Sequence, residues 1–114
     1  MVVERGELWW ANLGSPDGSE PGYRGPILIV QADAFNRSRI QTVLAVILTT
    51  NVRLVDAPGN VLIPATVSGL PKDSVANVSQ IITVDRDFLH ERVSQLQGQT
   101  LKSLDAGLRL VLGL

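Results

Sequence analysis

The segments Ile27-Leu28-Ile29-Val30 and Val43-Leu44-Ala45-Val46-Ile47-Leu48 are unbroken apolar runs rich in β-branched residues. Both are too short for a free-standing helix and too apolar for a strand with one wet face, so they read as central strands of a sheet. On the N-terminal side, Glu7 to Leu13 reads as a short aromatic-rich strand ending at the turn formers Gly14, Ser15, Pro16, Asp17 and Gly18. The loop from there to Pro26 is about a dozen residues long, more than a connection in a small sheet needs. Loops of that length tend to carry function. Trp9 and Trp10 are adjacent, so in a strand they point to opposite sides, and one of them is expected to leave the core to reach a ligand or a second subunit.

Between the two runs, residues 32–38 read as a helical turn or loop. After the second run, Thr49-Thr50-Asn51 opens a polar stretch that closes at Pro58-Gly59, and Val61-Leu62-Ile63 forms a short strand stopped by Pro64. From Asp73 to Val84, Val78, Gln80, Ile82 and Val84 alternate with Asn77, Ser79, Ile81 and Thr83. This predicts a strand with one packed face and a polar residue, Gln80, among its core positions. Near the C-terminus, Leu101, Leu104, Leu108 and Val111 form one apolar stripe of a helix that Thr100 can cap. Gly107 inside that helix costs about 1 kcal/mol relative to alanine and points to close packing. The expected fold is mainly β (α+β): a small barrel or strongly bent sheet of about five strands with a C-terminal helix, in one domain over residues 1–114.

Hydrophobic residues make up 45% of the 114 and charged residues 18%, a globular balance that argues against disorder. There is no cysteine, which excludes disulfides, zinc-thiolate sites and thiol nucleophiles. Acidic residues stand at the start where a signal peptide needs basic and then apolar ones, and no apolar run approaches the ~18 residues of a membrane span. A cytoplasmic location without membrane attachment is expected. The net charge of −1 argues against coating nucleic acid by bulk electrostatics. Between Pro21 and Lys72, however, Arg24, Arg37, Arg39, Arg53 and Lys72 face only Asp33 and Asp56, so an anionic ligand is expected to bind the middle of the chain.

A single histidine, His90, no cysteine and scattered acids give no metal-ligand set, no two-histidine ribonuclease site and no histidine triad. His90 lies in a charged segment and reads as a bystander. The glycines at 14, 18, 22 and 25 do not form a phosphate loop. What remains is chemistry that arginine, threonine, serine and glutamate can perform on an anion. Attack of an RNA 2′-hydroxyl on its own phosphate needs no external nucleophile, only proton transfer and positive charge at the transition state. A guanidinium fork matches phosphate oxygens.

Five segments in order resemble the MazF/PemK family of toxin ribonucleases: RGELWWANL (5–13), GSEPGYRGPILIVQ (18–31), Asn36-Arg37, LTTN (48–51) and DSVANVSQI (73–81). The resemblance implies the SH3-like barrel shared with the CcdB gyrase poisons, a homodimer, and a MazE-like antitoxin whose tail occupies the RNA channel. It implies cleavage of single-stranded RNA at short motifs without metal or cofactor, leaving a 2′,3′-cyclic phosphate and a 5′-hydroxyl. By the same resemblance the catalytic threonine is Thr49, the loop residues that meet RNA are Ser19 and Glu20, and the later polar contacts are Ser74 and Gln80.

One position departs from the family. Its catalytic arginine immediately precedes the proline that opens the second strand; here that place holds Gly25, with Arg24 one residue earlier. An offset of one in an extended segment turns the side chain to the other side. Three readings stay open: a disarmed variant, a natural member with weakened cleavage, or a flexible Gly25 that lets Arg24 serve. Two other functions remain as alternatives, a catalytically dead RNA- or antitoxin-binding module and a gyrase poison. The C-terminus Val111-Leu112-Gly113-Leu114 lacks the tryptophan that resemblance to the gyrase poisons requires.

Overall fold

The computed structural model describes residues 2–14 and 24–114. The two apolar runs form adjacent strands, β2 (Arg24–Ile29) and β3 (Thr42–Thr49), joined through the short helix α1 (Asp33–Asn36). With β1 (Glu7–Asn12), β4 (Val61–Ile63), β5 (Ser74–Asp85) and β6 (Leu89–Gln95) they make one six-stranded antiparallel sheet in the order β4-β5-β3-β2-β1-β6. A second short helix, α2 (Ala65–Ser68), follows β4, and α3 (Gly98–Leu112) closes the chain.

Both faces of the sheet are packed, which is why the central runs carry no polar alternation. Leu8, Leu28, Val46, Leu48, Ala76 and Val78 meet Leu96, Leu104 and Leu108 on one face. Trp9, Ala11, Ile27, Ile29, Val43, Ala45 and Val84 pack with Val3 and Leu89 on the other. The two edges are drawn together through α2: Ser94 Oγ on β6 donates to the Ser68 carbonyl oxygen at 2.5 Å. The sheet is thereby curled.

Sequence patterning missed β6, because His90, Glu91 and Arg92 interrupt any apolar alternation with a charged segment. On an edge strand that composition is expected, since charged side chains protect an unpaired edge. The uniform face predicted for Asp73–Val84 is corrected as well. Pairing jumps from Val46↔Ile81 to Ile47↔Asn77, so Val78, Ser79 and Gln80 bulge out of register with β3. Val78 is then buried in the first cluster, Val84 in the second, and Gln80 is exposed rather than among core positions.

Helix α3 begins at Gly98, without a side-chain cap from Thr100, and Val111 at the end of the proposed stripe is exposed. The Gly107 expectation holds: a Cβ there would lie 3.0 Å from the Gly59 carbonyl carbon and closer still to its oxygen. No described helix is long and apolar enough to cross a membrane.

Candidate active site

The antiparallel order brings the end of β1, the start of β2, the end of β3 and the start of β5 to one rim of the sheet. A cleft of about 370 Å3 opens there, walled by Trp10, Pro26, Leu48, Leu70 and Pro71, with Thr49, Thr50, Lys72 and Ser74 supplying its polar groups. Trp9 is buried, so Trp10 is the indole that leaves the core. The strand geometry forces that division, and Trp10 becomes a wall of the cleft.

Thr49 is the last residue of β3 and pairs with Val75. Its Oγ1 accepts the Asn51 backbone N–H at 3.1 Å, which fixes the oxygen and leaves the hydroxyl proton to be donated elsewhere. Ser74 lines the same cleft but is buried, and its Oγ donates to the Lys72 carbonyl oxygen at 3.3 Å. Lys72, exposed beside it, puts an ammonium on the rim. Gln80 does not join this cleft. It sits in the β5 bulge, where Asn77 Nδ2 donates to its Oε1 at 3.1 Å. Ser19 and Glu20 lie outside the described residues.

Register settles which way residues 24 and 25 face. Arg24 pairs with Asn12, Gly25 with Ala11 and Pro26 with Trp10. Alternation therefore puts Arg24 on the Trp10 and Pro26 face, while Gly25 shares the face of Ile27. Ile27 pairs with Ile47, so Thr49, two residues on, belongs to the face of Gly25. A side chain at position 25 would project on the side of Thr49; Arg24 projects on the other. Its guanidinium carbon stands 4.8 Å from the centroid of the Trp10 ring, and its Nη2 is 3.1 Å from Glu91 Oε1. Sequence reasoning named Arg24 and Thr49 but missed Trp10, Lys72 and Glu91 as parts of one site. Trp10 had a signal as one of two adjacent tryptophans and Lys72 as the last cation of the basic middle stretch, whereas Glu91 had none. Among the described residues no three His, Cys, Asp or Glu side chains cluster as metal ligands would.

A curled antiparallel sheet with a C-terminal helix, and a rim cleft lined by Thr49 and Lys72, is an arrangement shared with solved toxin ribonucleases. An endoribonuclease from a mycobacterial species, solved in complex with its cognate antitoxin, matches with a TM-score of 0.80 at 27% identity, over 99% of this chain and 97% of that one. A MazE-MazF structure from Deinococcus radiodurans shares the fold at a TM-score of 0.80 and 23% identity, over 100% of this chain and 98% of that one.

Residues 4–112 match the family described as PemK-like, MazF-like toxin of type II toxin-antitoxin system. Endoribonuclease MazF6 of Mycobacterium tuberculosis is 46% identical over 114 residues, the full length of both chains. Endoribonuclease EndoA of Bacillus subtilis is 32% identical, over 100% of this chain and 97% of that protein. The chain belongs to this PemK/MazF toxin family, and its enzyme class is endoribonuclease.

Proposed function

We propose that this toxin cuts single-stranded RNA at short sequence motifs without a metal ion, by attack of a ribose 2′-hydroxyl on the adjacent phosphate. The P–O5′ bond breaks, leaving a 2′,3′-cyclic phosphate and a 5′-hydroxyl. The observation that carries the reading is the placement of Thr49 in a cleft with Lys72 and with the Trp10 wall that bears Arg24. Thr49, its oxygen fixed by Asn51, offers its proton to the phosphate oxygens as charge develops there. Lys72 and Arg24 hold the polyanion from the rim, and Trp10 offers an aromatic wall to a base. In this reading the toxin acts in the cytoplasm as a homodimer and is silenced by a MazE-like antitoxin; support for the antitoxin is that a mycobacterial endoribonuclease of this fold was solved bound to its own.

The register favours a second, narrower reading: cleavage is weak because no cation projects from position 25 on the face of Thr49, and Arg24 anchors phosphate rather than stabilising the transition state. Incubating the protein with a long RNA in excess chelator and mapping 5′-hydroxyl ends tests the reaction. Cuts that appear only when magnesium is restored would overturn the mechanism; slow cuts in chelator support both readings together.

A further inference from the structure

We infer that Glu91 is a positioning residue that competes with RNA for Arg24: its carboxylate occupies the anion seat of the guanidinium and sets how tightly the Trp10 side of the cleft takes a phosphate. This rests on the reading of the cleft as the RNA site.

Glu91 is placed by backbone register. It pairs directly across from Trp10 on the edge strand β6. The neighbouring Arg92 pairs across from Trp9, and its Nε donates to Glu7 Oε2 at 2.6 Å. Glu7 is buried and also accepts the Trp9 indole N–H at 3.1 Å. Arg92 is thus committed to the Trp9 side, and alternation leaves Glu91 on the Trp10 side, against Arg24.

The Arg24–Glu91 contact has the properties of an exchangeable one. It is a single oxygen contact at 3.1 Å, with the two side chains 53% and 67% exposed. Exposed pairs of this kind are weak and screened by salt. An RNA phosphate brings a bidentate partner and releases counterions as it docks, so it outcompetes one carboxylate. The stack on Trp10 can persist through the exchange, keeping the guanidinium oriented while its anion changes. Until then the carboxylate lowers the positive potential that an approaching phosphate meets.

The test measures binding of a fluorescent single-stranded RNA carrying 2′-O-methyl groups, which cannot attack its own phosphates, by anisotropy over a series of salt concentrations. Glu91→Gln should tighten Kd by about two- to fivefold at low salt, the range an exposed ion pair spans. It should steepen the slope of log Kd against log salt by less than about 0.7, the value of a whole phosphate contact on a single strand, because the competing pair it removes is itself weakened by salt. Both effects should vanish in the Arg24→Ala background, whereas a merely structural Glu91 would not move the salt slope. Unchanged or weaker binding by Glu91→Gln, or equal tightening without Arg24, overturns the inference. Should Arg24→Ala leave binding intact and Thr49→Ala leave cleavage intact, the cleft is not the RNA site and the inference falls with that reading. Should both variants lose function while Glu91→Gln is silent, the cleft stands and only the role of Glu91 is lost.

Discussion

Gly107→Ala adds one methyl group where helix α3 crosses Gly59. That methyl would lie 3.0 Å from the Gly59 carbonyl carbon and 3.3 Å from its Cα, with the carbonyl oxygen nearer still. The obstacle is backbone, and it is held. Gly59 has a φ of +84° and so occupies the left-handed region, and the next residue, Asn60, is tied by three side-chain hydrogen bonds. Overpacking against such an obstacle costs about 3 kcal/mol, the upper end of the usual range. Replacing a mid-helix glycine with alanine returns about 1 kcal/mol of helix propensity. The clash wins by about 2 kcal/mol. At an unfolding entropy of roughly 2.1 cal/mol/K per residue, a domain of this length should lose about 8 °C of Tm. Thermal melts followed by circular dichroism, with wild type in parallel, read this directly. A Tm equal to or above that of wild type would mean that the helix and the Gly59 turn do not touch as described.

Thr49→Ala should abolish RNA cleavage while leaving the melting temperature near wild type, because the half-buried hydroxyl holds only the Asn51 N–H; a retained cleavage rate in a gel assay would remove Thr49 from the chemistry. Gly25→Arg should raise kcat by about a hundredfold, the value of one transition-state donor, because position 25 projects on the face of Thr49; an unchanged rate in folded protein would mean that Arg24 already supplies that charge. Asp33 is held below its ordinary value of 3.8, first by the Arg5 backbone N–H at 2.7 Å and then by Asn36 Nδ2 at 3.1 Å. A depressed carboxyl contributes stability that is fully present above the unfolded value and fades as pH falls through the folded one. Asp33→Asn should therefore flatten the loss of Tm below about pH 4, and an equally steep loss in that variant would assign the acid sensitivity to other groups.

The central strands were legible because burial on both faces leaves unbroken apolar runs, as at Ile27–Val30 and Val43–Leu48. Gly107 was legible too, since a mid-helix glycine needs a packing reason and Gly59 is that reason. Gln80 was misplaced because a two-residue period cannot reveal a bulge: three extra residues re-aim everything that follows, and the polar side chain leaves the face its spacing assigned. Strand β6 was hidden because an edge strand needs little apolar pattern. At the site, Thr49 and Arg24 came from family resemblance. Their assignment to different faces required the pairing of β1, β2 and β3, which no local signal contains. Glu91 lies 67 positions from Arg24, and only the β1–β6 pairing makes them neighbours.

The Asn60 amide joins the segment that follows Thr49 to the strand beyond it. Its Oδ1 takes the Val78 N–H at 2.9 Å, and its Nδ2 reaches the Leu54 carbonyl at 2.9 Å and Asn77 Oδ1 at 3.3 Å. Both the donor and the acceptor ends of one amide are in use, so aspartate, which has no N–H to give, would set a carboxylate against two oxygens. Any exchange of residues 50–60 between related toxins must therefore carry Asn60 together with its three correspondents, or the grafted segment arrives without an anchor.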